Sequence, residues 1–321
     1  MRMSSSSPPR VALVHDQLLV NAGAESVFRE IAGMYGGDVI CSVIDPRTIT
    51  WLEPARVRQT VLARLPKAKQ RHYLYSPIML DVWRKVNVRK YDVVLCDSHS
   101  FAHACRPRPD AVRFCYYYTP ARSLWVPEID PRASSGRLAT VKKALARRMR
   151  PMDLRAAQHW DARYAISKTS AERIERFYHR PCDGVIYPGV DVEKFADVRR
   201  TDESEGLLFW SRLIEYKKVE LVIGAAEKLG MKVNVVGTGP HEAKLKEFAR
   251  GKPFVTFHGR LPDDDLKRLA ERSKAVVFPA YEDFGIVPVE AMAAGVPVVV
   301  YRQGGAAETV RSEDGAVFEE Q

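Results

Sequence analysis

Short apolar runs alternate with stretches of helical periodicity along most of this 321-residue chain. In the first half, a helix is predicted at 24–34, where apolar residues recur every three or four positions. The apolar runs of that half predict strands at 11–15, 91–98, 112–120, 161–167 and 183–190. Strands that alternate with helices are typical of a parallel, doubly wound sheet, so we expect one here.

The second half repeats this alternation and predicts a second open parallel sheet. Its strands are predicted at 207–211, 232–236, 254–258, 275–279 and 296–300. Its helices are predicted at 219–229, 242–249, 264–271 and 289–294. The fold class is therefore α/β, with two doubly wound domains in tandem.

The polar, charge-dense stretch "RRTDESEG" predicts a linker at 199–206. A length of 321 residues also exceeds what one core usually holds. We therefore expect a disordered lead at 1–10, an N-terminal domain at 11–198 and a C-terminal domain at 207–321.

Composition narrows the class of protein. An apolar content of 46% excludes general disorder. No apolar run approaches the ~20 residues that cross a bilayer, and none follows the N-terminal start as a secretory signal requires. The five cysteines are scattered and never spaced C-x-x-C, which favours reduced thiols over disulfides or a zinc site. These features predict a cytoplasmic protein.

Charge is distributed unevenly along the chain. Residues 1–200 carry 34 basic and 20 acidic residues, whereas residues 201–321 carry 16 and 20. A basic first half predicts an anionic partner: membrane headgroups, a phosphorylated substrate or nucleic acid. Composition does not choose among these.

The stretch "VVFPAYEDFGIVPVEAMAAGVPVVV" at 276–300 places two glutamates in an apolar setting. The pattern predicts a strand, a loop, a short helix and a second strand. Ligands of such units bind where the strands end and the helix begins. Glu282 lies in the predicted loop and Glu290 one turn into the helix, so we expect both to face one crevice.

Two further turns of the second half follow predicted strands. Arg212 and Lys217 in "WSRLIEYKKVE" precede a helix, and together they are suited to neutralising a diphosphate. Solvated surface charges are the alternative. Gly237 and Gly239 in "VVGTGP" permit close backbone approach to a ligand, although an ordinary strand-to-helix turn explains them equally well.

In the first half, Gly23 precedes the first predicted helix and is suited to presenting backbone N–H groups to phosphate. A plain helix start capped by Asn21 is the alternative. His99 and His103 in "CDSHSFAH" follow a strand. We interpret His99 as a candidate that hydrogen-bonds a sugar hydroxyl, with a surface position as the alternative, and His103 as a surface residue.

Two motifs have less specific interpretations. The acids of "PDDDL" at 262–266 are expected to cap a helix rather than to chelate a metal. The stretch 138–152 combines apolar residues at helical spacing with many cations. It is interpreted either as a basic amphipathic helix on an anionic membrane surface or as a core-packing helix with a solvated face.

Together these stretches resemble the retaining GT-B glycosyltransferases of family 4. The match rests on "EDFGIVPVEAMAAGVPVV", "SRLIEYKK", "VVGTGP", "FHGRL" and the Gly pair at 304–305. "YDVVLCDSHSFAH" and "YYYTPARSLW" are similar to the branch of O-antigen and exopolysaccharide mannosyltransferases. The resemblance implies two Rossmann-like domains facing a cleft.

The resemblance also implies roles for the matched positions. Glu282 would contact the transferred sugar, and Glu290 the ribose diol. Arg212 and Lys217 would hold the donor diphosphate, assisted by Gly23. The remaining implied donor-binding residues are Gly237, Gly239, Asp283, Phe284, Gly285 and Ile286. No metal or cofactor is implied, and the leaving phosphate is expected to help deprotonate the acceptor.

The chain departs from the family pattern at three places. The usual Gly-Gly before the first helix is Ala22-Gly23, and the histidine of the branch's His-Thr-Pro is Tyr118. Relatives continue beyond the position of Gln321 through helices that cross back onto the first domain. The crossover helix is therefore expected to be missing and the domains to be more mobile.

The leading hypothesis is a metal-independent, retaining hexosyltransferase on the inner face of the cell membrane. It would transfer mannose from GDP-mannose to a lipid-linked or saccharide acceptor. A sugar-nucleotide epimerase or hydrolase on the same scaffold and a non-catalytic sugar-nucleotide-binding protein are the alternatives. Nucleic acid is not expected as a partner, because no groove-reading motif accompanies the basic residues.

Overall fold

The computed structural model describes residues 8–126, 139–201 and 206–321. The chain divides into two compact units, Met1–Tyr187 and Pro188–Gln321. The division falls N-terminal to the linker predicted at 199–206. Most of the lead predicted at 1–10 lies outside the described residues.

The first unit is built on a parallel seven-stranded sheet. Its strands are β1 (Val11–His15), β2 (Asp38–Cys41), β3 (Val57–Gln59), β4 (Val93–Ser98), β5 (Val112–Tyr117), β6 (Ala162–Ala165) and β7 (Gly184–Val185). Its described α-helices are α1 (Gly23–Tyr35), α2 (Ala68–Arg71), α3 (Ser76–Trp83), α4 (Arg122–Trp125), α5 (Ala139–Ala157) and α6 (Lys168–Tyr178). The strand order is β3-β2-β1-β4-β5-β6-β7, so the winding direction reverses between β1 and β4.

The second unit is built on a parallel six-stranded sheet of order β10-β9-β8-β11-β12-β13. Its strands are β8 (Leu207–Trp210), β9 (Val233–Val236), β10 (Val255–Gly259), β11 (Ala275–Phe278), β12 (Val298–Tyr301) and β13 (Gly315–Phe318). Its α-helices are α7 (Val219–Leu229), α8 (Glu242–Phe248), α9 (Asp263–Glu271) and α10 (Ile286–Ala293). Here the winding direction reverses between β8 and β11.

Short 3-10 helices occur in the connections of both units. They span Pro54–Arg56, Val61–Arg64, His72–Tyr75, Ala102–Ala104, Glu193–Phe195, Glu215–Lys217 and Gly305–Glu308. Those that begin or end close to a reversal point matter most for function, because ligands of open α/β sheets bind at these points.

Each sheet is covered by helices and closes its own apolar core. In the first unit Trp83, Phe101 and Trp160 are 1% exposed, and in the second Phe209 and Phe278 are 0% and 1% exposed. The central strands β1, β4, β8 and β11 are buried on both faces, as expected of parallel sheets. All five cysteines are free thiols, as the sequence predicted.

The structure corrects several predicted bounds. Strands β2, β3 and β13 escaped prediction because they are short and flanked by polar residues. Helix α10 was predicted at 289–294 but begins at Ile286. The reason is Gly285, whose φ of +89° starts the helix from a left-handed conformation, and Pro288, which is tolerated in a first turn.

Candidate functional site

The reversal point of the second sheet brings together the loops after β8 and β11. Both strands are central and parallel, so their carboxyl ends open at the same edge. The first loop contains Arg212 and leads to the 3-10 helix that ends at Lys217. The second loop contains Glu282. The sequence therefore folds its separated candidate residues toward one edge of the sheet.

Lys217 and Glu282 form an ion pair there. Nζ of Lys217 lies 2.5 Å from Oε1 of Glu282, with side-chain exposures of 9% and 14%. The ammonium also lies over the ring of Phe278, 4.6 Å from its centroid, which favours a cation at that position. A pair this buried is weakly screened, so it strongly influences any charged ligand that reaches it.

A Gly-Gly pair holds the loop that carries Glu282. The backbone N–H of Gly305 donates to the carbonyl oxygen of Glu282 at 2.9 Å. A Cβ on Gly305 would lie 2.1 Å from the carbonyl oxygen of Asp283, and Gly304 has a φ of +105°. Only glycines fit here, so the pair at 304–305 positions the acidic loop through backbone contact.

Glu290 lies on α10, and Nε1 of Trp210, at the end of β8, donates to its Oε2 at 3.4 Å. Burial raises the pKa of Glu290, against the opposing effects of Lys194 and Trp210. Lys194 forms an ion pair with Asp263 at 2.8 Å. Sequence reasoning missed Trp210 and Lys194. The position of Trp210 at the end of a strand was a usable sequence signal. No local sequence pattern marks Lys194.

The other predicted donor-binding residues have different surroundings. Asp283 and Phe284 are 6% and 3% exposed, and Gly285 and Ile286 begin α10. Arg212 is exposed and makes no ion pair with the residues that the structure describes.

Gly237 and Gly239 lie where β9 ends, packed against the loop after β8. A Cβ there would lie 1.9 Å from the carbonyl oxygen of Ser211 and 2.1 Å from that of Leu213, respectively. Close packing inside the unit therefore accounts for both glycines. Their proposed contact with a donor stays a prediction.

The reversal point of the first sheet is organised by Asp16, directly after β1. Its Oδ2 accepts the backbone N–H groups of His99 and Ser100 at 2.8 and 2.7 Å. Its Oδ1 accepts those of Phe101 and Ala102 at 2.7 and 2.8 Å. Although burial raises the pKa of Asp16, His99 and these N–H groups lower it overall. One carboxylate therefore fixes the loop that carries His99.

His15 and Asp97 form a fully buried pair beside this loop, with Nδ1 3.1 Å from Oδ1. Tyr118 donates from its hydroxyl to Oδ2 of Asp97 at 3.3 Å. The ring of His99 lies 5.4 Å from that of His15 and 6.1 Å from that of Tyr118. Burial lowers the pKa of His15, but Asp97, Glu25 and Asp16 together outweigh this effect and leave that pKa raised.

Sequence reasoning missed Asp16, His15 and Asp97 as organisers of the site. The signal was available, since a polar residue at the end of an apolar strand recurs in "VALVHD" and "VVLCDS". Glu25, in the first turn of α1, was also missed; it is 5% exposed, and burial raises its pKa. Tyr118, which stands where the mannosyltransferase branch has a histidine, donates a hydrogen bond from its hydroxyl to Asp97.

Gly23 is the first residue of α1, and the N-cap is Ala22, which makes no side-chain cap bond. The alternative that Asn21 caps this helix is therefore wrong. Pro262 is the N-cap of α9, so the acids of "PDDDL" lie in the first turn and act on the helix dipole without capping it.

His103 was predicted at the surface and this is wrong, because it is 1% exposed. Its Nε2 lies 3.1 Å from Oδ1 of Asp153, and the indole of Trp160 donates to its carbonyl oxygen at 2.9 Å. The polar sequence around His103 concealed this position. Local sequence gives no sign of Asp153, which is distant along the chain and places its carboxylate beside the buried ring.

Helix α5 contains most of the stretch predicted at 138–152; Leu138 lies outside the described residues. Met149 is buried, and Leu145 and Met152 pack against the core of the first unit. Val141 is 61% exposed, and Lys142, Lys143, Arg147 and Arg148 are exposed. Among the described residues, no helix is long and apolar enough to cross a membrane.

Residues 191–321 match the family model of the glycosyl transferases group 1. An uncharacterized glycosyltransferase of Methanocaldococcus jannaschii is 33% identical over 176 residues, covering 48% of this chain and 45% of the relative. A GDP-mannose-dependent alpha-(1-6)-phosphatidylinositol monomannoside mannosyltransferase of Mycobacterium tuberculosis is 31% identical over 150 residues, covering 39% of each. The matched stretch thus spans less than half of these curated relatives.

Among solved structures, HepE of Anabaena in complex with UDP superposes with a TM-score of 0.68 at 17% identity. The match covers 96% of this chain and 85% of HepE. It extends over both units, and each contains a parallel sheet with helical connections. The chain therefore has the GT-B fold, and its residues 191–321 are similar to the glycosyl transferases group 1.

Proposed function

We propose that this chain is a retaining hexosyltransferase that transfers mannose from GDP-mannose to a lipid-linked or saccharide acceptor. It would act in polysaccharide or glycolipid biosynthesis and without a metal ion. The observation that carries the proposal is the Lys217–Glu282 pair, buried at the reversal point of the sheet in the stretch that is similar to the glycosyl transferases group 1.

The proposed roles follow from charge. Lys217 neutralises the donor diphosphate, and the exposed Arg212 adds a guanidinium whose paired N–H groups suit phosphate oxygens. Glu282 accepts hydrogen bonds from hexose hydroxyls and stabilises the positive charge that develops on the sugar ring. Glu290, oriented by Trp210, accepts hydrogen bonds from the ribose diol.

The proposed reaction needs no group beyond donor and acceptor. The bond between C1 of the hexose and the diphosphate oxygen breaks, and its electron pair stays on the phosphate. The acceptor hydroxyl oxygen attacks C1 from the same face, and its proton passes to the departing phosphate oxygen. Lys217 stabilises the charge that accumulates there, which lowers the barrier.

In the first unit, Gly23 assists at the phosphate and His99 hydrogen-bonds a sugar hydroxyl. Asp16 supports this role of His99, because it fixes the backbone of residues 99–102. Preorganised polar groups of this kind contribute to catalysis since they need no reorganisation during the reaction.

The donor assignment is supported by the relative described as GDP-mannose-dependent. HepE, which is more distant at 17% identity, was crystallised with UDP. Uridine nucleotides are therefore the main competing donors, and a direct comparison decides between them.

We also propose that the exposed cations of α5 bind anionic lipid at the inner face of the cell membrane. Their contact with the lipid would be electrostatic, because the apolar residues of α5 from Leu145 onward pack against the core of the first unit. Co-sedimentation with phosphatidylglycerol vesicles, but not with phosphatidylcholine vesicles, is expected at low salt. Equal sedimentation with both would exclude this role.

The test is product analysis with the full chain, GDP-mannose, UDP-glucose or ADP-glucose, and a panel of lipid-linked and saccharide acceptors. Mannosyl transfer with an α-linkage, unaffected by EDTA, is expected. Release or epimerisation of the sugar without an acceptor would instead identify a hydrolase or epimerase. Nucleotide binding without turnover across the panel would identify a binding protein.

A further inference from the structure

A buried chain of polar side chains joins helix α5 to the loop that carries His99. Asp153, on α5, is 0% exposed, and His103 and Ser98 are each 1% exposed. Nε2 of His103 lies 3.1 Å from Oδ1 of Asp153, and Nδ1 lies 3.2 Å from Oγ of Ser98. The Ser98 hydroxyl in turn lies 3.3 Å from Oδ2 of Asp16.

Asp153 is the fixed end of this chain. Its Oδ2 accepts from Nε1 of Trp125 at 2.7 Å and from the hydroxyl of Tyr178 at 2.9 Å. It therefore accepts hydrogen bonds from two other segments of the first unit, α4 and α6. A buried carboxylate that accepts from both is held in one position, because moving it would leave these donors unsatisfied.

Hydrogen-bonding capacity sets the direction of the chain. The Ser98 hydroxyl donates to Oδ2 of Asp16, because a carboxylate oxygen only accepts. Its oxygen is then the acceptor toward Nδ1 of His103, so the hydrogen of that contact lies on the ring. The hydroxyl oxygen also accepts the backbone N–H of His103 at 3.4 Å.

Ser98 is the last residue of β4, and His99 follows it directly. Asp16 holds the four N–H groups of residues 99–102, but nothing in that contact fixes Asp16 relative to the helices of the unit. The Ser98–His103–Asp153 chain supplies such a link, because it ties the start of the loop to α5 and α6.

We infer that Ser98, His103 and Asp153 position His99 for the transfer reaction, with none of the three touching the donor. The part of this inference that concerns turnover rests on the proposed function. The part that concerns the position of His99 does not, because it is a property of the unliganded chain.

The test uses Ser98→Ala, which removes one hydroxyl and leaves both carboxylates in place. Ser98→Thr restores the hydroxyl. Ser42→Ala is the matched control, because Ser42 is 1% exposed and donates to the backbone carbonyl of Asp16 from outside the chain. The imidazole NMR signals of His99 and His103, assigned with His99→Gln and His103→Gln, report their surroundings in the full chain.

Ser98→Ala is expected to shift the His99 signal and to lower kcat about tenfold while KM for the donor stays within about twofold. Ser98→Thr is expected to restore most of the original His99 signal position and of kcat. Ser42→Ala is expected to change neither the signal nor kcat. An unshifted His99 signal in Ser98→Ala, or equal losses in Ser98→Ala and Ser42→Ala, would overturn the inference. Absence of turnover in the unmodified chain would contradict the proposed function, and the NMR signals would still decide this inference.

Discussion

The ammonium nitrogen of Lys217 lies 2.5 Å from Oε1 of Glu282, although the two residues follow different strands, β8 and β11. Gly305 holds the acidic loop, and the ring of Phe278 supports the ammonium. In the proposed function Lys217 binds the diphosphate and Glu282 binds the hexose. Their contact therefore brings together the residues that bind the two sides of the bond that breaks.

Breaking this pair is expected to destabilise the chain. Lys217→Met leaves a largely buried carboxylate without its counter-ion, which costs about 3 kcal/mol in the free energy of unfolding. Lys217→Met/Glu282→Gln is expected to cost less than the sum of the two single changes, because the double variant leaves no uncompensated charge. Urea denaturation of all four proteins measures the coupling. Additive losses would mean that the pair contributes nothing.

Glu282→Gln is expected to lower turnover about 100-fold, since an amide cannot replace a preorganised negative charge beside the developing oxocarbenium ion. Glu319→Gln is the matched control, because Glu319 pairs with Arg302 on an exposed surface. Steady-state transfer from GDP-mannose measures both. A folded Glu282→Gln variant with the turnover of the unmodified chain would remove this residue from the reaction.

Glu290 is expected to reduce stability at neutral pH. Burial raises its pKa above that of an unfolded glutamate, about 4.3, so the folded state binds more protons between the two values. The free energy of unfolding therefore falls as pH rises through this window. Glu290→Gln, which does not titrate, is expected to be more stable than the unmodified chain at pH 7 and to lose this advantage below about pH 4.

Urea titrations from pH 3.5 to 8 measure the difference between the two proteins. Glu320→Gln, at an exposed position, is the matched control for the replacement of one glutamate. A constant difference across the range would show that Glu290 titrates as it does in the unfolded chain.

Asp16 is expected to act in the opposite direction. Its pKa is lowered in the folded chain, so its contribution to stability is present above the unfolded value of about 3.9 and is lost as pH falls through the folded one. Asp16→Asn weakens the N–H contacts to the loop 99–102 and is expected to cost about 3 kcal/mol at pH 7. Hydrogen exchange of those amides should accelerate in the variant. Unchanged protection would show that Asp16 does not hold the loop.

Arg212 is exposed, so its replacement tests ligand binding with little effect on folding. Arg212→Ala is expected to leave the free energy of unfolding within about 0.5 kcal/mol and to weaken GDP binding by about 2 kcal/mol. Arg250→Ala, at an exposed position paired with Glu247, should change neither quantity. Isothermal titration calorimetry with GDP measures the affinity of each variant. Equal affinities for GDP in the two variants would exclude Arg212 from the site.

Both parallel sheets could be predicted because their central strands β1, β4, β8 and β11 are apolar runs that end in polar turns. Helix α7 and strand β1 match their predicted bounds, since apolar periodicity and the following polar residues mark both ends. Strands β2 and β3 could not be predicted in this way. They contain only 4 and 3 residues, and pairing with β1 rather than local preference forms them.

The candidate site was likewise predictable from the sequence only in part. Glu282, Glu290, Arg212 and Lys217 lie in motifs that the sequence displays, and the structure places their loops at one reversal point. The contact between Lys217 and Glu282 was not predictable, because it joins positions far apart in sequence through the order of the strands. The burial of His103 depends likewise on Asp153, a residue of another helix.

The most direct test of the account is a crystal structure of the full chain soaked with GDP-mannose. The diphosphate is expected within hydrogen-bonding distance of Lys217 and Arg212, with Glu282 facing the mannose and Glu290 the ribose. Ordered GDP-mannose bound elsewhere, with Lys217 and Glu282 still paired and remote from it, would contradict the central claim.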